Sequence, residues 1–92
     1  MNSSERWTVR VAKAAEKTVT RAPRHEEQRL RAALRQMENG PFVGDVAPLT
    51  HQPTAFRRRV GDWRIFFDVY PAQRLVEVRE IQRRTTTTYR QR

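Results

Sequence analysis

Four guanidiniums fall within the nine residues 56–64, Phe-Arg-Arg-Arg-Val-Gly-Asp-Trp-Arg. In a strand, successive side chains point to opposite faces, so Arg57 and Arg59 share one face and Arg58 takes the other. A tight turn at Gly61-Asp62 brings the chain back and returns Arg64 to the neighbourhood of Arg57 and Arg59. Three guanidiniums on one sheet face make a cradle for phosphate, because the planar fork of Arg pairs with two phosphate oxygens at once. The same pattern also fits a solvated basic face on an edge strand, where charge discourages edge-to-edge pairing.

The other residues capable of chemistry are few. His25 and His51 are the only histidines, and neither has a second ligand at metal spacing. With no cysteine, thiolate metal sites and disulfides are excluded. No metal or other cofactor is expected. Asp62 belongs to the turn and is not read as a catalytic pair with Asp68. Glu26 and Glu27 fall where a helix macrodipole favours acids. The run Thr85, Thr86, Thr87, Thr88 reads as a solvated linker.

The elements that must hold the Arg cluster can be placed from periodicity. Trp7, Val9 and Val11 alternate with polar residues and mark a short strand. Residues 12–22 are Ala-rich, with Ala12, Ala15, Val19 and Ala22 at roughly helical spacing. A second helix follows Pro23, with Leu30, Ala33, Leu34 and Met37 along one face. Asn39-Gly40-Pro41 ends it, with Gly40 available for a left-handed cap. Residues 42–54, with Gly44, Pro48 and Pro53, read as a loop with a short turn near residues 46–49. Three strands complete the chain at residues 56–60, 63–70 and 75–81. In the middle one Trp63, Ile65, Phe67 and Val69 face one side, and Arg64, Phe66, Asp68 and Tyr70 the other. Trp7, Trp63 and Phe67 are core candidates, whereas Phe66 lies on the charged side. The order β-α-α-β-β-β predicts an α+β domain over residues 1–92, two helices packed on one face of a small, mostly antiparallel sheet.

Composition narrows the partners. The chain has 92 residues and a formal net charge of +9, and 17 of its 19 cationic side chains are Arg. Residues 1–55 carry 9 cations and 6 acids, whereas residues 56–92 carry 10 cations and 4 acids. The positive excess therefore sits in the C-terminal part, which suits a polyanionic partner. A hydrophobic fraction of 37% and a mean hydropathy of −0.89 leave room for one small core. That core is marginal alone, so help from a partner is expected. No run approaches the roughly 18–20 apolar residues of a membrane span. Residues 1–10 lack the apolar region of a signal peptide, so a cytoplasmic protein without membrane contact is expected.

Residues 56–69 and 81–90 resemble the RelE/ParE family of toxins from toxin–antitoxin pairs, and the RelE-like branch in particular. The likeness rests on Phe56, Arg57 and Arg59, the hairpin Val60-Gly61-Asp62-Trp63-Arg64 and the apolar strand 65–69. Val76, Val78 and Ile81, then Arg83-Arg84 and Tyr89-Arg90, continue it. The resemblance implies a ribosome-dependent mRNA endoribonuclease, in which a 2′-OH attacks the adjacent phosphate without a metal. By the same resemblance Arg57, Arg59, Arg64 and Arg83 would stabilise and position the phosphate. Tyr89 would stack on a base or handle a proton. Family members often carry His at the position of Gln82, which cannot shuttle protons. The implied partners are a cognate antitoxin, the ribosome and mRNA, with a higher-order toxin–antitoxin complex allowed. A ParE-like toxin acting on DNA gyrase, and a non-catalytic RNA-binding or regulatory domain, remain alternatives.

Overall fold

The computed structural model describes residues 6–84. They form a five-stranded sheet with two helices: β1 (Thr8–Val11), α1 (Lys13–Arg21), α2 (Arg24–Gln36), β2 (Asp45–Pro48), β3 (Phe56–Val60), β4 (Trp63–Tyr70) and β5 (Leu75–Arg83). The strand order is β1-β5-β4-β3-β2. β1 runs parallel to β5, and every other pairing is antiparallel. The α+β class with helices over one sheet face is as expected.

The helices form where apolar residues recur on one side. Ala15 and Val19 of α1 are buried, as are Leu30, Ala33 and Leu34 of α2 and Met37 just beyond it. Against them pack Trp63, Ile65 and Phe67 of β4 and Val76, Val78 and Ile81 of β5. Pro23 stands immediately before α2, where its missing N–H costs nothing. Glu26 and Glu27 occupy the first turn and Arg35 the last, each on the side the macrodipole favours.

Three details depart from the sequence reading. Residues 45–48 form the strand β2, not part of a loop. Its single apolar contact with the core is Val46, which is too weak a pattern to announce a strand, and Pro48 is tolerated because the strand lies on the sheet edge. Second, Gly40 adopts φ 150° and ψ 135° after a 3-10 turn at Met37–Asn39, so the helix does not close with a left-handed glycine. Third, β4 and β5 change register between Phe66 and Phe67. Phe66 opposes Glu80 and Phe67 opposes Val78, which leaves Arg79 as the extra residue of a β-bulge.

β2 also decides the edge-strand question. β3 lies between β2 and β4, so Arg57, Arg58 and Arg59 are on an interior strand of the sheet. A basic run placed to guard an edge does not describe them.

Among the described residues, no helix is long and apolar enough to cross a membrane.

Candidate functional site

Register places the Arg cluster on two faces. Arg59 opposes Arg64, and Arg57 opposes Phe66. Directly opposed residues share a face, so Arg57, Arg59, Arg64 and Phe66 project from the side of the sheet away from the helices. Arg64 opposes Gln82 and Phe66 opposes Glu80, which brings both β5 side chains to that face.

These side chains line a groove of about 450 Å³. Arg57, Arg64, Phe66, Glu80 and Gln82 form its floor, and the segment after β2 forms its wall through Leu49, Gln52, Pro53 and Thr54. The wall is tied down at both ends. The Leu49 N–H donates to the Ala55 carbonyl at 2.8 Å, and the Ala55 N–H donates to Asp68 Oδ1 at 2.8 Å. Asp68 Oδ2 accepts a hydrogen bond from Arg79 Nε at 2.7 Å, which fixes the carboxylate. Asp68 is thus the anchor of the groove wall.

The groove is rich in donors. Arg57 Nη1 and Arg64 Nε are buried and have no hydrogen-bond partner among the described residues. Arg57 Nη1 has a carboxylate, Asp45 Oδ1, only at 3.9 Å. A buried N–H without an acceptor costs about 1–3 kcal/mol, and a bound anion recovers it. Phe66 adds a flat apolar surface beside these donors, as stacking on a nucleobase requires. Arg59 is exposed and stands next to the groove on the same face, where it adds charge at the rim.

Arg58 points to the other side. It is 7% exposed and reaches under α2, donating to the Ala33 carbonyl at 3.2 Å and to Gln36 Oε1 at 2.6 Å. Burial pushes its guanidinium below the ordinary Arg value, because desolvation disfavours the charged form. Gly44 makes room for it: φ there is 88°, and a Cβ would lie 2.8 Å from Arg58 Nε.

Arg83 does not join the groove. It opposes Trp63, whose face packs on the helices. The Arg83 guanidinium carbon lies 5.4 Å from the centre of the Trp63 ring, and Nη2 is 3.5 Å from Glu26 Oε1. The same Glu26 oxygen accepts from Trp63 Nε1 at 2.9 Å, so this acid does more than offset a helix dipole. Tyr89 lies outside the described residues, as do the four threonines 85–88. His25 and His51 are both exposed, and no cluster of His, Asp or Glu able to hold a metal ion occurs among the described residues.

Sequence reasoning put Arg57, Arg59 and Arg64 on one face of the hairpin and Phe66 on the charged side, and the register agrees. It missed Glu80. The signal was present in the spacing of Val76, Val78 and Ile81, which breaks strict alternation and calls for one extra residue in β5.

No family sequence model matches the chain, and no curated protein matches it at a significant level. Solved structures do match its fold. The RelE–RelB complex from the archaeon Pyrococcus horikoshii aligns at a TM-score of 0.76 and 20% identity, over 87% of this chain and 97% of that one. A RelBE toxin–antitoxin complex from Mycobacterium tuberculosis aligns at 0.73 and 18% identity, over 86% and 99%. The isolated RelE toxin of E. coli aligns at 0.70 and 14% identity, over 86% and 85%. With two helices on one face of a five-stranded mixed sheet, matched over most of its length to these structures, the chain has the fold seen in these RelE toxins.

Proposed function

We propose that this chain is the toxin of a type II toxin–antitoxin pair and that it cleaves mRNA on the ribosome in the cytoplasm. One observation carries the reading: Arg57 and Arg64 line a groove on the open sheet face with buried donors that lack hydrogen-bond partners among the described residues, beside Phe66. A phosphodiester supplies the acceptors those donors need, and a base stacks on the phenyl ring.

The reaction requires three things of the protein. It must align the 2′-OH with the phosphorus, stabilise the charge that builds on the phosphoryl oxygens, and move protons. Arg57 and Arg64 supply the second within the groove. Arg59 holds a neighbouring phosphate at its rim. Arg83 serves as a structural cation beside Trp63 and Glu26 in the free chain, and its part in RNA contact requires it to leave them. Tyr89 is assigned base stacking on the resemblance alone.

The RelB chains in the neighbouring complexes support a cognate antitoxin as the stable partner. An acidic or amphipathic segment that covers the open face would mask Arg57, Arg59 and Arg64, and complementary charge would speed its binding. Primer extension on mRNA bound to programmed ribosomes tests the activity. New 5′ ends within the decoded codon are expected with active protein. Uncut mRNA overturns the nuclease reading, and inhibition of purified gyrase under the same preparation would replace it with the ParE-like one.

A further inference from the structure

An Arg-lined site can stabilise charge but accepts no proton at neutral pH, since guanidinium stays protonated far above it. Arg57 and Arg64 therefore leave the attacking 2′-OH without a base. The groove contains one carboxylate among its lining residues, Glu80. Its presence there is a consequence of the bulge at Arg79. Strict alternation after Val76 and Val78 would send residue 80 into the core. The extra residue instead buries Ile81 and turns Glu80 and Gln82 outward together.

The carboxylate is also oriented. Gln82 Nε2 donates to Glu80 Oε2 at 2.7 Å, which leaves Oε1 available to face the groove. Gln82 in turn opposes Arg64, and Glu80 opposes Phe66. Base-stacking ring, carboxylate and phosphate-binding guanidinium thus occupy adjacent positions across two paired strands.

The geometry points to Glu80 as the general base of this site, with Gln82 as the residue that positions it; the inference rests on the nuclease reading above. The Glu80 carboxylate takes the proton of the 2′-OH as the 2′-oxygen forms its bond to phosphorus. The bond from phosphorus to the 5′-oxygen breaks, and that oxygen takes a proton from water, which the open groove admits. Glu80 then returns its proton to solvent. The products are a 2′,3′-cyclic phosphate and a free 5′-OH, and neither a net water nor any further reactant is consumed.

The test compares wild type, Glu80→Ala and Glu80→Gln on programmed ribosomes, with thermal unfolding as a control for folding. Glu80 is exposed, so both variants are expected to fold. A general base contributes typically about 10²–10⁴-fold, so both should cut at least about 100-fold more slowly. Added formate should restore a measurable part of the rate to Glu80→Ala, where the side chain has left space. It should not restore Glu80→Gln or alter wild type. Full activity of Glu80→Gln, or a slow Glu80→Ala that formate does not restore, overturns the assignment while leaving the nuclease reading intact. Uncut mRNA with wild-type protein overturns both.

Discussion

At the scale of the residue, three consecutive arginines have three different fates. Arg57 enters the groove, Arg58 goes under α2, and Arg59 stays at the rim. Their substitutions should separate accordingly. Removing a charge-stabilising donor costs about 10²–10³ in rate, so Arg64→Ala is expected to lose that much cleavage. Its stability should change by less than about 1 kcal/mol, since no hydrogen bond from its buried Nε is broken. Arg58→Ala is the converse. It removes two hydrogen bonds and buried volume, so unfolding in denaturant should show a loss of about 2–4 kcal/mol. If Arg64→Ala proved as destabilising as Arg58→Ala, Arg64 would be a structural residue.

At the scale of the element, the site depends on two features that carry no chemistry. The β5 bulge sets the face of Glu80 and Gln82. Deleting Arg79 joins Val78 directly to Glu80, so strict alternation keeps Glu80 and Gln82 on the open face and Ile81 in the core. What the deletion removes is the Arg79 hydrogen bond that fixes the Asp68 carboxylate, and through it the groove wall. Thermal unfolding should therefore shift only slightly, and the groove floor should persist beneath a looser wall. The turn before β2 is the second feature. Gly44→Ala places a Cβ against the Arg58 guanidinium at a backbone angle that L-residues rarely adopt. A destabilisation of about 1–3 kcal/mol is expected from denaturant titration. Strand β2 itself was invisible in the sequence because only Val46 of its four residues packs on the core. Where a strand is recruited to satisfy the backbone of its neighbour, apolar alternation is weak.

At the scale of the whole molecule, the net charge of +9 acts through its placement. Arg57, Arg59 and Arg64 share the open face, while Arg31, Arg58 and Arg83 are paired or bonded on the helix side. Of these two sets, only the first lies where a single strand of RNA would bind under the proposed function. Three phosphate contacts predict a slope of about −2 in a plot of log affinity against log salt for single-stranded RNA. Arg59→Ala should reduce that slope by about 0.7 and weaken binding to all sequences alike. An unchanged slope would remove Arg59 from the contact set.

The sequence by itself determined the helices, the β3–β4 hairpin and the face shared by Arg57, Arg59 and Arg64. Those follow from local periods of 3.6 and 2, and from a Gly-Asp turn, which need no distant partner. Tertiary structure alone decided the rest. Whether Arg58 is solvated or buried depends on α2, which is distant in sequence. Whether β3 is an edge depends on β2. Arg83 turned away from the groove because its opposed residue is Trp63, whose ring and Glu26 hold the guanidinium. Glu80 joined the groove because one residue of β5 has no counterpart on β4, a fact of register between two strands that neither strand states alone.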